Sequence, residues 1–164
     1  AFSCTEIGAN NVILTVTDAN SNTSTATAVV TIADTTSPTA IAQNITVYLD
    51  ASGSASIVAA DVDNGSGDNC GTVSLAIDVS AFSCTEIGAN NVILTVTDGQ
   101  GNTSNAIAVV TIADTTSPTA VAQNITVYLD ASGSASIVAS DVDNGSTDNC
   151  STVTLAIDSS NFDC

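Results

Sequence analysis

The chain has 164 residues and a formal net charge of −17, because it contains 17 Asp and Glu residues but no Lys, Arg or His. Without cationic side chains it cannot neutralise nucleic-acid phosphates or attract anionic lipids, so neither nucleic acid nor a charged membrane surface is an expected partner. The absence of His and Lys also excludes imidazole catalysis and Schiff-base chemistry, and we do not expect an enzyme.

The sequence repeats with a period of 80 residues, and 71 of the 84 positions that overlap in this alignment are identical. This period has the size of a small β-domain and is too long for one turn of a solenoid. Pro38 and Pro118 each follow an Asp-Thr-Thr-Ser stretch and block strand continuation, so we place the repeat boundaries there. Residues 1–36 are then the C-terminal part of one repeat, 37–116 a complete repeat and 117–164 the N-terminal part of the next. We expect the chain to be an excerpt of a longer polypeptide.

Apolar and polar residues alternate through the complete repeat, which is typical of half-buried strands. In chain order the predicted strands and turns are a strand at 44–49, a turn at 50–54, strands at 55–59, 72–77 and 92–97, a hairpin turn at 99–102, and a strand at 106–112. Residues 79–91 hold one or two further short strands, and no stretch shows helical periodicity. This pattern predicts an all-β fold of tandem immunoglobulin-like β-sandwich repeats, each of about 80 residues.

The five cysteines are the first expected source of extra stability, because the core is built mostly from small aliphatic residues. Cys70 and Cys84 are 14 positions apart, as are Cys150 and Cys164, so we predict the disulfides Cys70–Cys84 and Cys150–Cys164. Cys4 is the repeat equivalent of Cys84 and would bond a residue before residue 1. A loop of about 15 residues would contribute roughly 3 kcal/mol, and paired cysteines indicate an oxidising, extracytoplasmic compartment. Free buried thiols and a cysteine metal site are the alternatives.

Cation binding is the second expected source of stability. The loops 61–69 and 141–149 combine carboxylates and amides around glycine, as calcium sites do, although the closing Glu and the helices of an EF-hand are missing. In the expected sandwich these loops share one end with the turn at Asp98 and with the Asp that leaves the preceding repeat. The predicted calcium ligands are Asp34, Asp61, Asp63, Asp68 and Asp98 at one joint, and Asp114, Asp141, Asp143 and Asp148 at the next. The alternative is that these residues only form turns in solvated loops.

Four motifs together resemble a known family. They are D-T-T-S-P-T from Asp34, N-I-T-V from Asn44, D-N-C-G at Asp68–Gly71 and V-I-L-T-V-T-D-G-Q-G-N-T-S at Val92–Ser104. Over the whole chain this combination resembles the hyalin-repeat (HYR) group of immunoglobulin-like domains, and more closely the tandem repeats of giant cell-surface adhesins of Bacteroidetes, such as the gliding-motility adhesin. The resemblance implies secretion to the cell surface, stalk-like arrays and cell adhesion.

The boundary stretches also resemble the O-glycosylation acceptors of the same bacteria, which makes Thr35 and Thr115 predicted sugar sites. The alternative is a plain polar linker.

We therefore expect a structural stalk or spacer of a long extracellular adhesin fibre, which extends a distal binding region or transmits gliding traction. The expected partners are neighbouring repeats of the same chain, and surface polysaccharide or other cells through a distal region. Apolar runs of four or five residues are too short for membrane insertion. Two alternatives stay open: the repeats are themselves calcium-dependent glycan- or partner-binding modules, or they self-assemble into a multi-chain filament.

Overall fold

The computed structural model describes residues 2–163 and shows an all-β chain, with 44% of the residues in strands or isolated β-bridges and 9% in α- or 3₁₀-helices. The described residues form ten strands and two short α-helices. In chain order these are β1 (Gly8–Thr17), β2 (Thr23–Ile32), β3 (Ile45–Tyr48), β4 (Ser54–Ser56), α1 (Ala59–Val62), β5 (Ser74–Ile77), β6 (Ala81–Ser83), β7 (Gly88–Thr97), β8 (Thr103–Ala113), β9 (Ser134–Ser136), α2 (Ala139–Val142) and β10 (Asn161–Asp163).

The strands form one four-stranded sheet, with the order β3-β8-β7-β5, and three two-stranded sheets, β1-β2, β4-β6 and β9-β10. Strand β3 pairs with β8 in parallel, with Ile45 opposite Val110, whereas β5 pairs with β7 in an antiparallel arrangement, with Leu75 opposite Val96. Within the described residues, strand β1 pairs only with β2.

The chain divides into two compact units, each assembled from separate segments. One unit contains Ala1–Asn44, Val58–Val79 and Asn91–Ala108, and the other contains Ile45–Ile57, Ser80–Asn90 and Val109–Cys164. The core residues of the first unit are Val62, Val92, Leu94, Val96 and Ala108, and those of the second are Leu49, Ile57, Phe82, Val110 and Ile112.

The predicted alternation is confirmed in the strands of residues 37–116. Val92, Leu94 and Val96 are fully buried, whereas the intervening Ile93 is 39% exposed. Successive side chains of a strand point to opposite faces, so a period of two is enough to assign the buried face. The hairpin turn is confirmed as well, because the backbone N–H of Asp98 donates to the Asn102 carbonyl at 3.0 Å.

The segment 79–91 contains β6, a 3₁₀ turn at Cys84–Glu86 and the start of β7. The 3₁₀ turn begins with a reciprocal cap, in which Ser83 accepts from the Thr85 N–H and Glu86 accepts from the Ser83 N–H. The helices α1 and α2 were not predicted. Each spans four residues, about one turn, which is too short to produce a periodic pattern.

The predicted disulfide pairing is wrong. The bonded pairs are Cys4–Cys70 and Cys84–Cys150, each with a separation of 66 residues and with Cα atoms 5.2 and 5.1 Å apart. Cys70 and Cys84 do not bond to each other because the segment between them does not fold back as a hairpin. Strand β5 lies in the four-stranded sheet, whereas β6 pairs with β4. Cys164 lies outside the described residues, and its predicted partner Cys150 is bonded to Cys84.

These disulfides are typical of a protein from an oxidising, non-cytoplasmic compartment. In the described part of the chain, no helix has the length and apolar character that a membrane crossing requires.

Candidate metal centre

Three carboxylates converge within the first compact unit. One oxygen from each of Asp34, Asp68 and Asp98 lies within 4.8 Å of the others. Asp34 follows β2, Asp68 lies in the loop between α1 and β5, and Asp98 opens the turn after β7. Within residues 2–163 this is the only cluster of three or more potential metal-ligating side chains at such distances.

Asp98 is the most rigidly held of the three and is only 7% exposed. Its Oδ1 accepts from the backbone N–H groups of Gln100 (2.9 Å) and Asn102 (2.8 Å), and its Oδ2 accepts from the Asn102 side-chain amide at 2.7 Å. Burial is the largest single influence and raises the pKa of Asp98, but these hydrogen bonds together outweigh it. The pKa therefore stays below its ordinary value of 3.8, and the group is a carboxylate at neutral pH.

Asp34 and Asp68 each leave one oxygen without a hydrogen-bond partner. Asp34 Oδ1 accepts from the Thr36 N–H at 3.0 Å and Asp68 Oδ2 from the Cys70 N–H at 2.8 Å. The remaining atoms, Asp34 Oδ2 and Asp68 Oδ1, are buried and have no partner. A buried, unsatisfied carboxylate oxygen is costly, and a cation bound by the three carboxylates would satisfy both of these atoms.

Three connections fix this arrangement. The Asn102 amide that binds Asp98 also donates to the backbone carbonyl of Asp34 at 3.3 Å. Thr39 and Gly67 exchange two backbone hydrogen bonds, of 2.7 and 3.1 Å, so the stretch after Asp34 lies along the loop that carries Asp68. The disulfide Cys4–Cys70 fixes the residue two positions beyond Asp68.

The chemistry of the donor set suits a hard divalent cation. Carboxylate oxygens are the preferred ligands of Ca²⁺, which takes six to eight oxygens in flexible geometry. The sequence contains no Lys, Arg or His to balance the three charges. Three carboxylates supply part of a Ca²⁺ shell, and water and backbone carbonyls are its usual complement.

Asp61 and Asp63 are used locally and do not belong to the cluster. Asp61 Oδ2 accepts from the Val58 N–H at 2.7 Å and caps α1. Asp63 accepts from the N–H groups of Gly65 and Ser66, both at 3.1 Å, and hydrogen bonds from Ser66 are the main cause that lowers its pKa. These local hydrogen bonds are typical of turn-forming residues, and cation binding by Asp61 and Asp63 stays a prediction.

The acidic residues of the next joint follow the same pattern. Asp141 accepts from the Val138 N–H and Asp143 from the N–H groups of Gly145 and Ser146, so both repeat the local roles of their equivalents. Asp114 Oδ1 lies 3.5 Å from the Asn149 amide. Asp148 is occupied further, because its Oδ2 accepts from Cys150 and from both the N–H and the hydroxyl of Ser151, where the first joint has Gly71. In the described chain these residues form no cluster like that of Asp34.

Asp18, the repeat equivalent of Asp98, shows what the turn looks like without the cluster. Its turn has the same hydrogen bonds, with Asn20, the Asn22 backbone and the Asn22 amide all at 2.8 Å. Asp18 is nevertheless exposed and lies outside the cluster. The turn alone therefore does not create the site; the convergence of three segments does.

Asn102 is a site residue that was not predicted from the sequence. Its amide connects Asp98 with the Asp34 backbone. The available signal was the spacing Asp-x-x-x-Asn, which occurs at both 18–22 and 98–102 and is typical of a side chain that closes its own turn. The predicted sugar sites Thr35 and Thr115 are both exposed, and glycosylation stays a prediction.

Comparisons with known proteins give no information on the carboxylate cluster. No protein-family model matches the chain, and no curated protein matches it. The features of the chain that bear on function are therefore the disulfides, the carboxylate cluster and the internal repeat.

Proposed function

We propose that the chain is a spacer segment of a long, secreted cell-surface adhesin fibre, in which immunoglobulin-like β-sandwich repeats follow one another in tandem. The strand order supports this fold: residues 37–116 supply the sheet β3-β8-β7-β5 and the pair β4-β6. An immunoglobulin-like sandwich is likewise built from two sheets whose strands alternate along the chain. The job of each repeat is mechanical, to add length and to carry load towards a distal binding region.

The observation that carries the proposal is the position of the two disulfides. Each one joins a cysteine before a predicted repeat boundary to a cysteine after it, because Cys4 and Cys70 lie on either side of Pro38, and Cys84 and Cys150 on either side of Pro118. A covalent bond across each joint keeps the chain between its two cysteines, which are 66 positions apart, from being pulled out. In the chain-entropy account a closed loop of this size stabilises the fold by about 4 kcal/mol.

The carboxylate cluster strengthens the same joint. Asp34 precedes the boundary, and Asp68 and Asp98 follow it. Calcium bound by all three would hold both sides of the joint together in addition to the disulfide. Extracellular calcium sites have dissociation constants of about 10⁻⁴–10⁻³ M, which suits a site that stays filled outside the cell.

Stretching the 164-residue chain between its ends tests the mechanical role. The oxidised chain is expected to release less length on unfolding than the reduced chain, by roughly 220–240 Å for each closed 66-residue segment. The double variant Cys84→Ala/Cys150→Ala is the matched control and should recover one of the two increments. Equal extensions with and without reductant would contradict the proposed mechanical role of the disulfides.

Calcium titration tests the cluster separately. With calcium in tenfold excess over the dissociation constant, a site present only in the folded state stabilises it by about 1.4 kcal/mol, visible as a rise in Tm. Asp98→Asn should remove this rise, whereas Asp18→Asn, in the equivalent turn of the β1–β2 hairpin and outside the cluster, should keep it. An equal response of both variants would show that calcium acts on the general charge of −17 rather than at this centre.

A direct binding assay separates the spacer from the glycan-binding alternative. The chain immobilised on beads is expected to retain neither bacterial surface polysaccharide nor cells, with or without calcium. Calcium-dependent retention would overturn the spacer proposal and favour adhesive repeats.

A further inference from the structure

The hairpin β1–β2 exposes an apolar face that the same sequence buries elsewhere in the molecule. Leu14 and Val16 are 60% and 59% exposed, whereas their repeat equivalents Leu94 and Val96 are fully buried. The ten residues of β1 are identical to those of β7. Because the strand itself is the same, the difference in exposure at Leu14 and Val16 comes from what surrounds the strand.

The second copy shows which strands flank the hairpin and extend its sheet. Strand β3 pairs with the outer edge of β8, and β5 pairs with the outer edge of β7. Leu49, which follows β3, is 4% exposed, and its N–H donates to the Ala113 carbonyl at 3.0 Å. In the described chain β1 and β2 pair only with each other, so both outer edges of the hairpin lack these strands.

The segment that flanks β7–β8, residues 45–77, has a second copy at residues 125–157, and within the described residues no β-hairpin pairs with this second copy. Residues 125–128 have the sequence of β3 but form no strand, and residues 154–157, which differ from β5 by one conservative substitution, form none either. Leu129 is 47% exposed and Phe162 46%, whereas the equivalent Leu49 and Phe82 are both 4% exposed. This segment therefore presents the missing half of the core that the β1–β2 hairpin needs.

The surroundings of the two disulfides show the same complementarity. Beside Cys84–Cys150, the Asn149 amide donates to the Asp50 carbonyl at 3.1 Å, and Gly53 lies so close that an added Cβ would be 2.5 Å from the Cys84 sulfur. Beside Cys4–Cys70 there is instead an open cleft of about 330 Å³. The Asp-Ala-Ser-Gly turn that ends at Gly53 recurs at 130–133, so a second copy carries the piece that fits this cleft.

We propose that the exposed face of β1–β2 binds a second copy of this chain, through residues 117–163 of that copy, wherever no preceding repeat already covers the face. The internal copy fixes the register: Ile125 pairs with Val30 in parallel, and Leu155 pairs with Val16 in an antiparallel arrangement. Edge strands supply backbone hydrogen bonds, and alternate side chains supply specificity. The two surfaces differ, so the contact is head-to-tail and produces a series of dimers, trimers and longer oligomers.

Charge opposes this association, because each copy carries −17. Added salt screens repulsion between copies, so association is expected to strengthen as NaCl is raised. This sign distinguishes an apolar, strand-paired contact from one held by ion pairs, which salt would weaken.

Light scattering and sedimentation of the oxidised 164-residue chain test the proposal. The mean mass should rise with concentration from 16.2 kDa through its multiples. Leu14→Asp should weaken association by about tenfold or more, since it places a charge on the apolar contact. Ile13→Asp is the matched control, because the equivalent Ile93 is 39% exposed even in the covered copy.

Mixing two variants separates the loss of a binding surface from a failure of the variant to fold. Leu14→Asp damages the hairpin surface and Leu129→Asp damages the covering segment, so each alone should remain monomeric. Their equimolar mixture retains one intact pair of surfaces and should form dimers that grow no further. A wild-type chain that stays monomeric at all concentrations and salt levels, or a mixture that never dimerises, overturns the proposal.

Discussion

The hairpins β1–β2 and β7–β8 have almost the same sequence, and they differ in what surrounds them. Both form long antiparallel strands joined by a five-residue turn whose Asp accepts from the same three donors. In one copy the apolar face is largely exposed, and in the other it is the centre of the core. The sequence of a hairpin is thus enough to specify its strands and turn, whereas its burial depends on segments that lie far away in the chain.

The four residues Ile-Thr-Val-Tyr occur twice and form a strand at only one of the two places. At Ile45–Tyr48 they form β3 against the edge of β8, and at 125–128 the same residues form no strand. Short strands have few local interactions of their own, and their stability comes from cross-strand pairs and packing. A hairpin therefore exists without its neighbours, but an isolated edge segment does not.

Replacing the same leucine in both hairpins gives the largest expected contrast. Leu94→Ala removes a fully buried side chain and should lower the free energy of unfolding by roughly 3–5 kcal/mol, through lost burial and a cavity. Leu14→Ala, at a 60% exposed position, should change it by about 0.5 kcal/mol or less. Urea denaturation of the monomeric chain measures both. Equal losses would show that the β1–β2 face is covered in solution even in the monomer.

Two glycines with positive φ differ in how closely other atoms pack against them. Gly53 has φ +75° and lies against the Cys84 sulfur, whereas Gly101 has φ +90° and nothing within 4 Å of an added Cβ. Gly53→Ala combines left-handed strain with overpacking and should cost roughly 2–4 kcal/mol. Gly101→Ala should cost only the strain, about 1 kcal/mol. A Gly53→Ala variant as stable as Gly101→Ala would mean that this turn does not pack on the disulfide.

The strands could be predicted from the sequence because their signals are local. The alternation at Val92, Leu94 and Val96 and the turn at Asp98–Asn102 each depend on residues a few positions apart, and the structure confirms them. The convergence of Asp34, Asp68 and Asp98 was reached through the expected topology, since each residue lies at the end of a strand or in a loop beside it.

The disulfide partners could not be predicted because they depend on long-range contacts. Pairing cysteines 14 positions apart assumed a local reversal, but β5 and β6 lie in different sheets and carry the chain away from Cys70. The local hydrogen bonds of Asp61 and Asp63 could not be predicted from the sequence either. Their sequence is as rich in oxygen ligands as that of a cation loop, and only the positions of the N–H groups of Val58, Gly65 and Ser66 show that these carboxylates act locally.

The 3₁₀ caps at Glu6 and Glu86 should contribute equally to stability in the two copies, because their contacts are entirely local. Glu6 and Glu86 make the same bonds: each accepts from the N–H of the Ser three positions earlier, at 2.6 and 2.7 Å. In both, the side-chain hydrogen bond from the adjacent Thr, followed by bonds from that Ser, lowers the pKa below its ordinary value of 4.5. The folded state therefore binds fewer protons than the unfolded state. The stabilisation is fully present above about pH 4.5 and is lost as the pH falls through the lowered pKa.

Glu6→Gln and Glu86→Gln should therefore reduce the loss of stability below pH 4.5 by similar small amounts. Urea midpoints compared between neutral and acidic pH measure this effect, which is the smallest of those expected here. A clearly larger effect at Glu86 than at Glu6 would mean that the surroundings of a copy alter even its local caps. The difference between the two hairpins would then begin in their local structure and not only in the segments that cover them.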